Sequence, residues 1–207
     1  MEHELASAAE TYERIAPIYD FLDGPYEVFW KRRLRQSVFN GLSGRVLDAG
    51  VGTGCNFVAY PTNAVVTGID ISHSMLLRAR KRAARMELDI ELARMDLCAL
   101  DLPDRIFDAI AATFVFACIP DDRQQPALSE LRRVCHPAGE MRLLDYRLSE
   151  EPVRRAAMQM KAPWLKWAFS ATYTPGTNKY IEAAGWRVIE ERPLIRDHVL
   201  MTRLKPM

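Results

Sequence analysis

The chain has 207 residues, a length typical of one domain with a hydrophobic core of its own. Hydrophobic residues make up 49% and charged residues 27% of the sequence, which excludes a disordered or collagen-like chain. No run approaches the roughly 20 apolar residues that a membrane-spanning helix needs, and a formal net charge of +1 argues against nucleic acid as the partner.

The start of the chain and its cysteines indicate the compartment. Residues 1–17 contain neither the basic region nor the apolar stretch of a signal peptide, so we expect a cytoplasmic protein. The four cysteines (Cys55, Cys98, Cys118 and Cys135) form no CxxC pair. We expect them to be reduced and to act as small buried hydrophobic side chains.

Short apolar runs alternate with helical patterns along the chain, which predicts a doubly wound α/β domain. The predicted strands are residues 45–49, 64–69, 90–94, 107–113, 140–146, 186–191 and 199–203. The predicted helices are residues 56–60, 74–86, 123–135 and 177–184. Only residues 192–198 separate the last two strands, which suits an antiparallel hairpin. We therefore expect a seven-stranded Rossmann-like sheet, mostly parallel, with an antiparallel last strand.

Two segments fall outside this alternation. Residues 1–41 precede the first strand and have a mostly helical pattern, and residues 147–176 combine three prolines with several aromatic side chains. Open α/β sheets bind ligands at the carboxyl ends of their strands, beneath such additions. We expect a single domain over residues 1–207, with a helical cap at 1–41 and a substrate-side insertion at 147–176.

The most informative motif follows the first predicted strand. An acid, Asp48, closes the strand, and Gly50, Gly52 and Gly54 follow at every second position. Glycines with this spacing allow a tight turn and a close approach of ligand to backbone. The spacing is neither that of a phosphate-binding P-loop nor that of the GxGxxG dinucleotide motif.

Two further acids follow the next predicted strands. Asp70 ends the second strand, where a carboxylate can accept hydrogen bonds from both ribose hydroxyls of a nucleoside. Asp96 follows the third strand and could accept from an adenine amino group. Each acid alone could equally be a helix cap or a solvated loop residue, but three acids at successive strand ends with a glycine loop favour a nucleoside site.

These motifs resemble those of the class I S-adenosylmethionine-dependent methyltransferases. The resemblance rests on residues 46–54, 68–74, 96–97, 107–113 and 131–140. Residues 12–20 resemble the opening of the ubiquinone/menaquinone-biosynthesis and bacterial phosphatidylethanolamine N-methyltransferase group, and residues 52–61 also resemble small methyltransferase-like proteins linked to alkyl-thiol methylation. The usual Pro-Gly-Gly before the fifth strand reads Pro-Ala-Gly at 137–139, which we expect to alter only a turn.

The resemblance implies S-adenosylmethionine as cofactor, S-adenosylhomocysteine as product and no metal ion. Asp70 would bind the ribose, Asp96 the adenine amino group, and Tyr19 and Phe114 would be the catalytic residues beside the transferred methyl group. The implied cofactor-binding residues are Tyr12, Tyr19, Asp48, Gly50, Gly52, Gly54, Asp70, Ile71, Asp96, Leu97 and Thr113.

Methyl transfer from a sulfonium mainly requires alignment of the acceptor and exclusion of water, so the motifs leave the acceptor open. Residues 25–41 and 152–169 combine tryptophan with basic residues, a composition typical of segments that rest on an anionic membrane; a helix packed on the sheet with a charged outer face has the same pattern.

We expect a small-molecule or lipid acceptor, in the first place a phospholipid headgroup amine. The protein would then act in the cytoplasm or peripherally on the inner face of the membrane. The alternatives are a ring carbon of a quinone precursor, an alkyl thiol, and a non-catalytic sensor of S-adenosylmethionine.

Overall fold

The computed structural model describes residues 32–169, 171–173 and 176–207. Within these ranges the helices are α1 (Arg32–Phe39), α2 (His73–Arg85), α3 (Asp121–Val134) and α4 (Pro152–Phe169). The strands are β1 (Gly44–Ala49), β2 (Ala64–Asp70), β3 (Glu91–Arg94), β4 (Phe107–Thr113), β5 (Cys135–Tyr146), β6 (Trp186–Ile195) and β7 (Val199–Pro206).

The described strands form one seven-stranded sheet in the order β3-β2-β1-β4-β5-β7-β6. Strands β1 to β5 pair in parallel, and β7 pairs antiparallel with both β5 and β6. The predicted sheet and its terminal hairpin are therefore confirmed. Because β1, β2 and β4 are adjacent and parallel, their carboxyl ends meet at one edge of the sheet, where such folds bind ligands.

The sheet is covered on both faces, as the apolar character of its central strands requires. On one face, Leu128 and Leu131 of α3 pack with Ile110 and Trp186. The indole N–H of Trp186, which is fully buried, donates to the backbone carbonyl of Leu128 at 2.9 Å. On the other face, α1 packs Val38 and Phe39 against β1 and β4.

Two predicted helices are shorter than expected. Residues 56–60 contain only a 3-10 turn, Phe57–Ala59, and residues 177–184 only the 3-10 turn Thr177–Lys179. The first lies between Gly54, which has a φ of +82°, and Pro61, and the intervening stretch is too short for a stable helix. Strand β5 begins at Cys135 rather than at residue 140, because Cys135 already pairs with Phe107 of β4; the register then shifts before Glu140 pairs with Ala109.

The two segments set apart by the sequence are described to different extents. Residues 1–31 of the predicted cap, with Tyr12 and Tyr19, lie outside the described residues. The predicted insertion, residues 147–176, contains α4. Among the helices that the structure describes, none combines the length and apolar character needed to span a membrane.

Candidate functional site

The glycine loop turns the chain from β1 away from the sheet and leaves open space beside it. A Cβ on Gly50 would lie 2.1 Å from Val115 Cγ2, so a side chain cannot be accommodated there. Gly52 has a φ of +55°, and a Cβ built on it meets no atom of the described residues within 4 Å. A glycine with a left-handed backbone that faces empty space is what close approach of a ligand requires.

Asp70 ends β2 directly opposite this loop. Its Oδ2 accepts a hydrogen bond from the Gly52 backbone N–H at 2.9 Å, and its Oδ1 accepts one from the Ser72 N–H at 2.9 Å. Ser72 in turn caps α2, since its hydroxyl accepts from the Met75 N–H at 3.2 Å. The carboxylate is thereby held at the mouth of the pocket with a fixed orientation.

Asp96 lies on the same pocket and is engaged on both oxygens. Oδ1 accepts a hydrogen bond from the Cys98 backbone N–H at 2.9 Å, and Oδ2 accepts one from Nη2 of Arg123 at 2.7 Å. Arg123 Nε also donates to the Cys98 sulfur at 3.4 Å. The Asp96–Arg123 ion pair could not be predicted from local sequence patterns, because its partners lie on different elements of the fold.

Asp48 lies beneath the loop, fully buried, and does not line the pocket. Its carboxylate accepts two hydrogen bonds from Asn56 Nδ2, at 2.9 and 2.8 Å, and one from the Tyr60 hydroxyl at 2.5 Å. Burial raises the pKa of Asp48 to about 6, against the opposing effect of these hydrogen bonds and of the Arg35 charge. Asp48 therefore supports the loop from below.

Arg35 of α1 lines the pocket. The basic pattern of residues 25–41 had instead indicated that it lies on the charged outer face of a helix. Its side chain is buried, and Nη1 donates to Asn56 Oδ1 at 2.6 Å and to Thr113 Oγ1 at 3.0 Å. The inward direction follows from its spacing, since Arg35 shares a helical face with Val38 and Phe39, which are also buried.

Phe114 follows β4 with a left-handed backbone, φ +58°. Its N–H donates to the Leu144 carbonyl at 2.7 Å, which holds the turn. The ring of Phe114 lies 4.9 Å from that of Tyr146, and Tyr146 lies 5.5 Å from Tyr173 in an edge-on arrangement. Strain of this kind at a non-glycine residue is typical of functional sites.

Asp145, at the end of β5, is a second buried carboxylate near this turn. It accepts from the Ala117 N–H and from its neighbour Tyr146 N–H, each at 2.8 Å. Burial raises the pKa of Asp145 to about 7, although the backbone hydrogen bonds oppose the shift. Asp145 ties β5 to the segment after β4.

The structure brings most of the predicted residues to one pocket. Eight of them line it, namely Gly50, Gly52, Asp70, Ile71, Asp96, Leu97, Thr113 and Phe114. Gly54 packs instead against the Phe57 ring, which a Cβ would approach to 2.4 Å. Sequence reasoning missed Arg35, Asn56 and Arg123. An arginine within the apolar stripe of α1 was the signal that could have identified Arg35.

None of the four cysteines is in a disulfide, but only Cys135 fits the expectation of a buried thiol. Cys55, Cys98 and Cys118 are half-buried and line the pocket. Their positions follow from the fold: each lies just beyond a strand end, where the sheet opens to the ligand side.

Comparison with known proteins agrees with this geometry. Residues 46–139 match a family described as "Methyltransferase domain". The chain is 40% identical over 145 residues to a phosphatidylethanolamine N-methyltransferase of Cereibacter sphaeroides, covering 69% of this chain and 70% of that protein. It is 32% identical over 142 residues to a demethylmenaquinone methyltransferase of Thermus thermophilus, covering 65% of this chain and 64% of that protein, less than two thirds of its length.

A solved structure shares the fold at low sequence identity. The geranyl diphosphate C-methyltransferase of Streptomyces coelicolor, determined with S-adenosyl-L-homocysteine, superposes with a TM-score of 0.67 at 10% identity, over 86% of this chain and 80% of that chain. The doubly wound sheet, with its glycine loop and acid-lined pocket at the strand ends, defines a Rossmann-like fold. Because its sequence matches the methyltransferase family and the relative from Cereibacter sphaeroides, the chain belongs to the S-adenosylmethionine-dependent methyltransferases.

Proposed function

We propose that this pocket binds S-adenosylmethionine and that the protein methylates the headgroup amine of a phospholipid of the phosphatidylethanolamine type. The observation that carries the cofactor site is the pairing of Gly52, beside which the described residues leave open space, with the fixed carboxylate of Asp70. Support for the acceptor comes from the name of the Cereibacter sphaeroides relative and from the surface of α4.

The residues of the pocket fit the proposed cofactor. The backbone N–H groups of Gly52 and Ser72 orient the Asp70 carboxylate, which is an acceptor group of the kind that ribose hydroxyls need. Ile71 and Leu97 supply apolar contacts for a base, and Asp96 supplies an acceptor. Gly50 and Thr113 lie on the side proposed for the methionyl end.

The bound cofactor supplies an activated methyl group on a sulfonium, so the protein needs to align the acceptor and exclude water. The face of an aromatic ring favours an adjacent positive charge. Phe114, held by its bond to Leu144 and by the neighbouring Tyr146 ring, provides such a face at the pocket wall. The role proposed for Tyr19 falls outside the described residues.

Helix α4 presents an apolar stripe to its surroundings. Val153, Met160, Trp164 and Trp167 are 77%, 81%, 50% and 70% exposed, and their spacing of seven, four and three residues places them along one side of the helix. Met158 and Leu165 are buried and hold the helix to the domain. An exposed stripe of this size, with two tryptophans, is suited to the interface of a membrane.

The charges of α4 complement an anionic lipid surface. The helix has four basic residues and no acidic one. Arg154 pairs with Asp197, whereas Arg155, Lys161 and Lys166 are exposed. Each basic residue near an anionic membrane contributes about 1 kcal/mol of binding. We therefore assign the membrane contact to α4.

The described part of residues 25–41 supports this contact less than the sequence suggested. Leu34 and Val38 pack into the core, so their apolar face does not meet a membrane. Arg32 and Arg33 remain exposed on α1. The proposed interface therefore rests on the described residues of α4, with the charges of α1 as a minor addition.

The test uses the full chain, methyl-labelled S-adenosylmethionine and two sets of vesicles. One set contains phosphatidylethanolamine with phosphatidylglycerol, and the other phosphatidylcholine with phosphatidylglycerol. We expect label in the lipid fraction of the first set only, because phosphatidylcholine has no amine left to methylate. Absence of label in the first set, with cofactor binding intact, overturns the proposed acceptor.

A sedimentation assay on the same vesicles tests the α4 contact. Trp164→Ala combined with Trp167→Ala should reduce the pelleted fraction and leave cofactor affinity unchanged. The matched control, Leu77→Ala with Met86→Ala, also removes two exposed apolar side chains and should pellet as the unmodified protein does. Equal losses in the two double variants contradict the assignment to α4.

The relative from Thermus thermophilus favours a second candidate, methylation of a ring carbon of a quinone precursor. Replacing the phospholipid by a demethylated menaquinol in neutral detergent separates the two. Turnover of the quinol without anionic lipid supports the second candidate. Cofactor binding without transfer to phospholipid, quinol or alkyl thiol supports a sensor.

A further inference from the structure

Arg123 lies in the first turn of α3, where the helix dipole disfavours a cation. The partial positive charge at a helix N-terminus stabilises acidic side chains, and Asp121 and Asp122, at the first two positions, follow this rule. Arg123 comes directly after them and lines the pocket. A basic residue placed against the helix dipole, on a pocket wall, is expected to have a partner outside its own helix.

The partner of Arg123 is the loop that follows β3. Its Nη2 donates to Asp96 Oδ2 at 2.7 Å, and its Nε donates to the Cys98 sulfur at 3.4 Å. The Cys98 backbone N–H donates to the other oxygen of Asp96 at 2.9 Å. A carboxylate has about four acceptor positions, so two hydrogen bonds, one on each oxygen, set its plane without occupying all of them.

The start of α3 is bonded to two further parts of the fold. Gln124, next to Arg123, is buried. Its Nε2 donates to the carbonyls of Phe116 and Ile119, at 3.2 and 3.1 Å, in the segment after β4. Its Oε1 accepts a hydrogen bond from the Thr177 hydroxyl at 2.6 Å. The backbone at Arg123 is therefore held by contacts other than those that Arg123 makes with the loop after β3.

The loop after β3 is also attached to α3 away from the pocket. Glu130 Oε2 accepts from the Leu100 N–H at 2.8 Å, and Arg133 Nη2 donates to the Leu100 carbonyl at 2.8 Å. The side chains of Arg123 and Asp96 are 25% and 33% exposed, and ion pairs open to solvent contribute little to folding stability. The main consequence of the Arg123 contact is therefore the orientation of Asp96.

We propose that Arg123 is a positioning residue for base selection: it orients the Asp96 carboxylate so that the pocket prefers a 6-amino purine to a 6-oxo purine. The inference rests on the cofactor site under Proposed function. An amino group donates to a carboxylate, whereas a 6-oxo group presents a second acceptor to it, which leaves both without a partner. A site built around one member of a hydrogen bond rejects the analogue that lacks the other. An acceptor oriented before the ligand arrives also reduces the ordering cost of binding.

The experiment compares S-adenosylhomocysteine with S-inosylhomocysteine, in which a 6-oxo group replaces the amino group. Base selectivity is the ratio of the two association constants, measured by calorimetry. The unmodified chain should have a selectivity of about tenfold or more, as expected for a hydrogen bond to a charged group. Arg123→Met should lower this selectivity about threefold or more, by weakening the binding of S-adenosylhomocysteine. Arg123→Lys keeps the charge but loses the paired donors, so its selectivity should be intermediate.

Arg133→Met is the matched control. Arg133 is another arginine of α3 that bonds the loop after β3, through the carbonyls of Leu100 and Leu102. Among the described residues that line the pocket, Arg123 is present and Arg133 is not. Arg133→Met should lower the thermal midpoint at least as much as Arg123→Met and leave base selectivity unchanged. The two variants thus separate the orientation of Asp96 from a general loosening of the loop.

A double-variant cycle tests whether Arg123 acts through Asp96. The amide in Asp96→Asn offers an N–H to a 6-oxo group, so base selectivity should fall in this variant. Adding Arg123→Met to Asp96→Asn should then change selectivity no further, because residues that act as one unit do not have additive effects.

The remaining outcomes overturn the proposal. Unchanged selectivity in Arg123→Met, including equal losses for both ligands, contradicts a role in base selection. If that variant does not fold, unchanged selectivity in Arg123→Lys has the same meaning. A further fall when Arg123→Met is added to Asp96→Asn shows that Arg123 does not act through Asp96. Equal binding of both ligands by the unmodified chain removes Asp96 from base recognition but retains the cofactor site, whereas binding of neither contradicts the cofactor site itself.

Discussion

The backbone N–H of Gly52 donates to the Asp70 carboxylate at 2.9 Å. This bond joins the glycine loop after β1 to the end of β2, so the acid that we assign to the ribose also fixes the loop proposed to lie beneath the methionyl end. Because both functions depend on one carboxylate, its removal should affect ligand binding twice, by losing an acceptor and by releasing the loop.

Asp70→Ala should weaken binding of S-adenosylhomocysteine. Hydrogen bonds to a charged acceptor contribute about 1.5–3 kcal/mol, so we expect affinity to fall at least tenfold, measured by calorimetry. Asp89→Ala, which removes one exposed carboxylate after α2, should bind as the unmodified chain does. An unchanged affinity in a folded Asp70→Ala protein would remove this residue from the site.

Gly52→Val should abolish binding and leave the domain folded. A branched side chain at this left-handed position is strained by about 1–2 kcal/mol, and it projects into the open space of the pocket. Gly41 provides a matched control, since its φ is +77° and a Cβ on it also meets none of the described atoms within 4 Å. Gly41→Val should lower the thermal midpoint similarly but bind S-adenosylhomocysteine normally. Normal binding by Gly52→Val would place the ligand elsewhere.

The half-buried thiols of the pocket should be protected by ligand. Cys55, Cys98 and Cys118 line it, whereas Cys135 is buried. Iodoacetamide should modify the three pocket cysteines, and saturating S-adenosylhomocysteine should slow the reaction at each. Mass spectrometry of the peptides measures the extent of modification at each cysteine. Burial raises the pKa of the Cys98 thiol, so this residue should be slow even without ligand, because the thiolate is the reactive form. Equal labelling with and without ligand contradicts the pocket assignment.

The buried Asp145 should make the protein more stable at pH 5.5 than at pH 7.5. Its folded pKa of about 7 lies above the ordinary value of 3.8, so between these values the folded state binds more protons than the unfolded state. Stability contributed by this group is present at low pH and is lost as pH rises toward 7. The loss between the two pH values is about 2 kcal/mol for this group. Urea unfolding at both pH values measures it.

Two variants isolate this contribution. Asp145→Asn should reduce the difference in unfolding free energy between pH 5.5 and 7.5, whatever its absolute stability. Asp101→Asn, at an exposed position, should preserve the difference. The comparison is needed because other groups also change the unfolding free energy between these pH values. Asp48 adds to the loss of stability as pH rises, whereas His198, whose pKa burial lowers, opposes it. An unaltered slope in Asp145→Asn would show that Asp145 does not titrate in this range.

Local patterns in the sequence predicted the parts of the site that local chemistry determines. Glycine spacing and an acid at a strand end are sufficient to predict the loop and Asp70, because both depend on neighbouring residues. The ion pair of Asp96 with Arg123 joins residues 27 positions apart, and only the folded arrangement, which brings the start of α3 to the loop after β3, places them together. Similarly, the basic run that contains Arg35 predicted a charged outer face. Arg35 nevertheless points inward, because it shares a helical face with the buried residues Val38 and Phe39.

The same limit applies to the fold. Alternating apolar runs predicted all seven strands, since a buried strand has a recognisable composition. The helices predicted at 56–60 and 177–184 fail because short segments bounded by glycine and proline close as single turns. Whether a short apolar segment continues as a helix depends on the room left between its flanking turns.

Trp186, with its indole N–H bonded to Leu128 and its ring wholly buried, differs in surroundings from Trp164 and Trp167 on α4. Its fluorescence should be blue-shifted and insensitive to iodide, whereas the emission of the α4 indoles should be red-shifted and readily quenched. In a Trp30→Phe variant, which removes the remaining tryptophan, the core and the proposed interface thus have separate optical reporters. Lipid contact should shift the red component alone, and unfolding should shift the blue one.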